Sequence, residues 1–267
     1  MIKTAVIGAA GRMGRMLVAE VINTDGLELT GALEGTQCPF IGCDAGQLAG
    51  FDACGVKITS DFDEALKGAD VVIDFTAAAI TRVNAPKIAE KGIAMVIGST
   101  GLTPEDIAML EGLAANGARI VQSPNMSVGV NLLFALCEQV APLLGEAYDI
   151  EVVEMHHNQK KDAPSGTAEK LGQILAKARG LDYETDTRHG RKGLVGARTR
   201  NEIGMHALRG GDVVGDHTVI FATNGERIEL THKASSRQTF AKGAVRAVKF
   251  IAGAKPGKYD MRQVLGI

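Results

Sequence analysis

The hydrophobic positions of this chain follow two regimes. Up to about residue 125, short continuous apolar runs alternate with segments of helical period. The runs KTAVIG (3–8), LELTGALE (27–34), ADVVIDFT (69–76), IAMVIGST (93–100) and ARIVQSPN (118–125) predict strands buried on both faces. Between them, GRMGRMLVAEVINT places Met13, Leu17, Val21 and Ile22 at helical spacing. TRVNAPKIAEKG and TPEDIAMLEGLAANG predict two further helices, the second with Thr103 as N-cap, Pro104 at the first helical position and acids in the first turn. This alternation predicts an α/β fold with a Rossmann-type, doubly wound parallel sheet.

The pattern then changes. NLLFALCEQVAPLLG predicts a strongly apolar helix, YDIEVVEMHH a strand, and TAEKLGQILAKARG a helix capped by Ser165 or Thr167. Residues 187–204 are polar, glycine-rich and without period. MHALRGGDVVGDHTVIFATNGERIELTHKA predicts hairpin-linked strands, with a turn at Asn224-Gly225, and FAKGAVRAVKFIAG a closing helix. This half predicts a second, α+β domain with a mixed, largely antiparallel sheet.

Composition narrows the function classes. The 267 residues carry a net charge of -2 with both signs interspersed, which gives no general pull toward nucleic acid or an anionic membrane. Aromatics are only 4%, which argues against base-stacking platforms. The four cysteines, Cys38, Cys43, Cys54 and Cys137, fit no zinc spacing and read as reduced thiols of a cytoplasmic protein. No signal peptide is read at the N-terminus, and no continuous apolar run reaches the roughly 18 residues of a transmembrane helix.

Two stretches carry candidate chemistry. GAAGRMG, with Gly8, Gly11 and Gly14, joins the first strand to the first helix as a GxxGxxG variant of the dinucleotide loop. Small residues permit a tight turn, and a helix N-terminus attracts a pyrophosphate. Glu34 ends the second strand 20 residues after Gly14, where a carboxylate can accept the adenosine ribose hydroxyls. The next residue is Gly35, not Arg. A charge-assisted hydrogen bond is worth roughly 1.5–3 kcal/mol. Its absence lowers NADPH affinity by about one to two decades, so the expected lean is toward NADH without excluding NADPH. Gly98, Ser99 and Thr100, and Ser123, Pro124, Asn125 and Met126, lie at further strand ends facing the same crevice. They could hold the nicotinamide ribose and amide, or could be ordinary turns.

The second stretch is EMHHNQKKDAPSGTA, residues 154–168. A metal site, a plain polar loop and a catalytic loop all remain open for it. Adjacent histidines point to opposite faces of a strand and no third ligand is suitably spaced, which disfavours a metal. The catalytic reading has a physical basis: Lys160 follows His156 and His157, and the next helix N-terminus offers an anion cradle. A proton donor, a cation and an anion site suit a carboxylate substrate that gains negative charge on hydride addition.

This motif closely resembles the signature of the dihydrodipicolinate reductases (4-hydroxy-tetrahydrodipicolinate reductases) of the diaminopimelate–lysine pathway. GAAGRMG, VVIDFT, VIGSTGL, PNMSVGVN, RGGDVVGDHTVIFA, GERIELTHKASSRQTFAKGAVRA and YDMRQVLGI extend the similarity over essentially the whole chain. The resemblance implies His156 as proton donor and acceptor and Lys160 as proton donor. It implies His157, Gly166, Thr167 and Arg237 as contacts of a dicarboxylate substrate. Cofactor contacts would fall on Gly8, Ala9, Ala10, Gly11, Arg12, Met13, Glu34, Gly98, Ser99, Thr100, Ser123, Pro124, Asn125 and Met126. It also implies a cytoplasmic homotetramer assembled through the second sheet. Residues 1–126 and 238–267 would form the dinucleotide-binding domain, and 127–237 the substrate-binding and oligomerisation domain. Members of the family often carry Arg after the acidic residue, so Gly35 is a departure. Two rivals are another nicotinamide oxidoreductase, such as a semialdehyde dehydrogenase, and a dinucleotide-sensing regulator. Cys137 in an apolar helix argues against the first, and the lack of a basic helix-turn-helix against the second.

Overall fold

A computed structural model describes residues 1–267. In chain order the elements are β1 (Ile2–Ile7), α1 (Arg12–Ile22), β2 (Leu27–Leu33), α2 (Ala45–Leu48), β3 (Ile58–Thr59) and α3 (Phe62–Ala65). There follow β4 (Val71–Asp74), α4 (Ala78–Glu90), β5 (Ala94–Ile97), α5 (Pro104–Ala115), β6 (Arg119–Gln122) and α6 (Val128–Leu144). The second half contains β7 (Asp149–His156), α7 (Gly166–Arg179), α8 (Tyr183–Asp186), β8 (Thr187–His189), β9 (Ile203–Arg209), β10 (Gly215–Thr223) and β11 (Glu226–Ala234). The chain closes with α9 (Gln238–Ala252), β12 (Gly257–Tyr259) and α10 (Met261–Leu265). Two compact units result: Met1–Val128 with Gln238–Gly266, and Gly129–Arg237.

The first unit is built on a seven-stranded sheet of order β12-β6-β5-β4-β1-β2-β3, every pairing parallel. Alternate residues of its central strands enter two separate cores. Val6, Ile73, Val96 and Val121 pack with α1 and α9, while Ala5, Val72, Met95 and Ile120 pack with the opposite face. Burial on both faces is why these strands read as unbroken apolar runs. Thr103 and Asp106 form the capping box of α5, with Pro104 at its start. The three-residue β12 and two-residue β3 at the sheet edges are too short to leave a periodic trace.

The second unit has a five-stranded mixed sheet, β11-β10-β7-β9-β8. Helices α6 and α7 supply Val130, Leu133, Phe134, Cys137, Leu171 and Leu175 to the core on its inner face. The β10–β11 hairpin forms as expected, with Gly225 at φ 95°. The expected hairpin between β9 and β10 does not. Strand β7 lies between them, antiparallel to β10 and parallel to β9, and β8 is parallel to β9. The antiparallel share is therefore smaller than the sequence suggests. The reason is topological: a strand earlier in the chain captures both edges that local pairing would have joined.

Helix α6 with its following turn, Val128–Ala147, spans 20 residues at hydropathy 1.5 and is long and apolar enough by composition to cross a membrane. Its apolar side instead fills the core of this unit. Burial there pushes the Cys137 thiol up to about 12, so it is held as an unreactive thiol.

Candidate functional site

In the first unit the glycine loop is shaped by what its glycines lack. Gly8 adopts φ 74°, and a Cβ there would come 2.9 Å from Thr76 Cγ2. A Cβ on Gly14 would run into the Gly8 carbonyl, so only glycine lets α1 approach the loop. Gly11 begins α1 with no side-chain cap. The first turn of the helix is thus left for an anion, and the loop fits a dinucleotide pyrophosphate. Arg12 is exposed and Met13 half-buried beside it, whereas Ala9 and Ala10 are buried.

Glu34 is half-buried and tied into this loop. Its Oε1 accepts from the Ala10 amide at 2.8 Å and its Oε2 from the Gly35 amide at 3.2 Å. Arg15 donates from Nε to the Ala10 carbonyl, 2.8 Å, and stacks its guanidinium 4.9 Å from the Phe40 ring centre.

The ends of β4, β5 and β6 are also organised. Asp74, buried at the end of β4, accepts from Thr76 Oγ1 at 2.6 Å and Thr81 Oγ1 at 2.8 Å. Ser99 is buried and joined to Thr81 at 2.8 Å, so its side chain is committed inward while Thr100 is exposed. Gly98 makes room for the Phe75 ring, which a Cβ would strike. Ser123 donates to the Asn125 carbonyl at 2.8 Å, and the Asn125 side chain accepts from Ser127 N at 2.9 Å. Pro124 is exposed. Met126 is buried in the core, its carbonyl packed against Gly243 of α9.

In the second unit β7 carries Ile150, Val152, Glu154 and His156 on its inner face, one residue in two. Glu154 is 1% exposed. Its carboxylate accepts from His156 Nδ1 at 2.5 Å, from both terminal nitrogens of Arg209 at 2.9 and 3.0 Å, and from Ser165 N at 3.0 Å. Burial pushes this carboxyl up, but the His156 and Arg209 hydrogen bonds outweigh it and bring it down to about 2. Strand alternation could have placed Glu154 beside His156. Nothing in the sequence pointed to Arg209.

His217, on β10, pairs with Glu154 across the sheet and meets the His156 ring edge-on at 5.2 Å. Its Nε2 lies 3.0 Å from Ser165 Oγ, while its buried Nδ1 has no hydrogen-bond partner. Burial, then the neighbouring His156, pushes His217 down to about 3, so the ring is neutral. His217 was also missed by the sequence reading.

The loop after β7 is fastened to the Gly210–Val213 turn. Gly210 N donates to the His156 carbonyl, His157 N to Val213 O and Asn158 N to Gly211 O. His157 is half-buried. Lys160 donates from Nζ to both oxygens of Asp162 at 2.9 Å, and this ammonium holds Asp162 below the usual carboxylate range. The Ala163–Pro164 peptide is cis. Ser165 caps α7 by accepting from Ala168 N, so Gly166 and Thr167 form its first turn. Arg237 is half-buried ahead of α9, and no hydrogen bond joins it to this group. No group of three His, Cys, Asp or Glu is placed to hold a metal ion.

The sheet of the first unit, with its glycine loop, places this chain among the Rossmann-type dinucleotide-binding proteins. Comparison with known proteins is more specific. The family models for the dihydrodipicolinate reductase N-terminus and C-terminus match residues 2–126 and 129–265. The 4-hydroxy-tetrahydrodipicolinate reductase of Syntrophotalea carbinolica is 52% identical over 267 residues, covering all of both chains. That of Anaeromyxobacter sp. strain Fw109-5 is 54% identical, covering all of this chain and 98% of its own. The structure of dipicolinate-bound dihydrodipicolinate reductase from Paenisporosarcina sp. TG-14 superposes with a TM-score of 0.76 at 25% identity, covering 97% of each chain. The chain belongs to the dihydrodipicolinate reductase family.

Proposed function

We propose that this protein reduces 4-hydroxy-tetrahydrodipicolinate to tetrahydrodipicolinate in the diaminopimelate route to lysine. The observation that carries this reading is the family match across both halves of the chain. The substrate loses its hydroxyl as water and gains a hydride and a proton. When bound, the nicotinamide supplies the hydride from its C4. His156, at the end of β7, and Lys160, on the loop that leads to α7, supply and accept the proton. His157, Gly166, Thr167 and Arg237 hold the substrate carboxylates, a reading supported by the helix N-terminus at Gly166. The 1–126 and 238–267 part binds the dinucleotide, and 127–237 binds substrate.

The cofactor lies along Gly8 to Met13, Glu34, Gly98 to Thr100 and Ser123 to Met126. The lean is toward NADH, because Glu34 repels a 2′-phosphate and Gly35 offers it no charge. The protein is a cytoplasmic homotetramer joined through the outer face of the second sheet. That face presents Val153, Met155 and Ile220 half-buried, and Leu208 at 45% exposure.

Oxidation of NADH by the purified chain, with enzymatically generated substrate, tests the activity. A chain that turns over no substrate with either cofactor contradicts it. A tenfold higher kcat/KM with NADPH than with NADH contradicts the cofactor lean alone.

A further inference from the structure

We propose that Glu154, gripped by Arg209, is a positioning residue that holds His156 in one tautomer, with its proton on Nδ1 and Nε2 as the atom through which protons pass. This rests on the reading of His156 as a proton-transfer group, but the tautomer itself can be measured without turnover.

Four hydrogen bonds converge on Glu154 and use both of its oxygens. An ionised carboxylate only accepts, so the His156 nitrogen 2.5 Å away must be the one that bears hydrogen. Nδ1 is therefore occupied in the neutral and the cationic ring alike. Nε2 makes no hydrogen bond and lies over Gly215, where a Cβ would come within 3.0 Å of it.

The carboxylate could not remain ionised in this place alone. A buried charge demands a partner, and Arg209 offers a two-pronged one. Its Nη2 donates as well to the Asp162 carbonyl at 2.7 Å. One guanidinium thus ties the His156 partner to the segment that carries Lys160 and Asp162. The neutral His217 ring flanks His156 edge-on, its Nε2 engaged with Ser165 Oγ at 3.0 Å. Glu154 and Arg209 are 55 residues apart and meet because β7 and β9 pair in parallel, His156 opposite Arg209.

A purely structural ion pair would stabilise the unit without selecting a tautomer. The ¹⁵N spectrum of the full-length protein with labelled histidine separates the two roles, at pH values where the His156 ring is neutral. The expected result is a pyrrole-type Nδ1 and a pyridine-type Nε2 for His156. The Glu154→Gln variant, whose amide can donate or accept, should show a mixed population. Its kcat should fall at least about tenfold, with KM for NADH within about twofold. A wild-type His156 carrying its proton on Nε2 overturns the proposal. So does a folded Glu154→Gln variant with wild-type kcat. If Glu154→Gln fails to fold, the wild-type spectrum still decides. If the wild type reduces no substrate, the functional reading fails, and the spectrum still tests the positioning.

Discussion

The Glu34 carboxylate accepts a hydrogen bond from the Ala10 amide, 2.8 Å away and 24 residues earlier in the chain. The acidic residue at the end of β2 therefore braces the glycine loop as well as lying where a ribose would be read. Substituting Glu34→Ala should raise KM for NADH about tenfold, the loss of roughly one charged hydrogen bond. It should also move the NADH/NADPH ratio of kcat/KM toward NADPH. A variant that weakens both cofactors equally would leave Glu34 with the bracing role only.

Gly14 is close against the Gly8 carbonyl and the Ala9 backbone, both rigid. Gly14→Ala must displace the loop. Dinucleotide affinity is expected to drop at least about tenfold, by fluorescence titration, because backbone groups that approach a phosphate tolerate little displacement. Unchanged affinity would show that the loop can give way.

Lys160 rests on Asp162. Lys160→Ala should retain NADH binding within about twofold and lose most turnover, at least about a hundredfold in kcat. Rapid-mixing and binding measurements separate the two effects. Normal turnover in this variant would remove Lys160 from the proton-transfer role.

Stability should fall on acidification in two stages. His217 lies at about 3, below the 6.5 of an unperturbed histidine. The unfolded chain therefore binds more protons between these values, and stability is full above 6.5 and declines as pH falls toward 3. Glu151 is opposed by burial but brought down by Arg191, His206 and Arg198, and Glu154 by His156 and Arg209, each from 4.5 to about 2. Their contributions are present above 4.5 and lost toward 2, so the decline steepens below 4.5. Urea midpoints measured across this range test the shape. His217→Gln should flatten the upper stage and leave the lower one. A midpoint constant from neutrality to the carboxylate range would contradict the neutral buried His217.

The legible parts of this protein are those whose physics is local. Continuous runs such as VVID and AMVI announce strands buried on both faces. The Thr103–Pro104–Asp106 start of α5 and the Gly225 turn are written in neighbouring residues. The glycine loop and the stretch from Glu154 to Thr167 stand out because their spacing is short. Only the tertiary structure decided that β7 enters between β10 and β9. It also decided that Arg209 closes on Glu154, that His217 lies against His156, and that Glu34 braces Ala10. These partners are 24 to 61 residues apart. A strand's edges can pair with any compatible strand, and a buried carboxylate takes whichever donor the register delivers. Neither choice leaves a periodic mark on the chain.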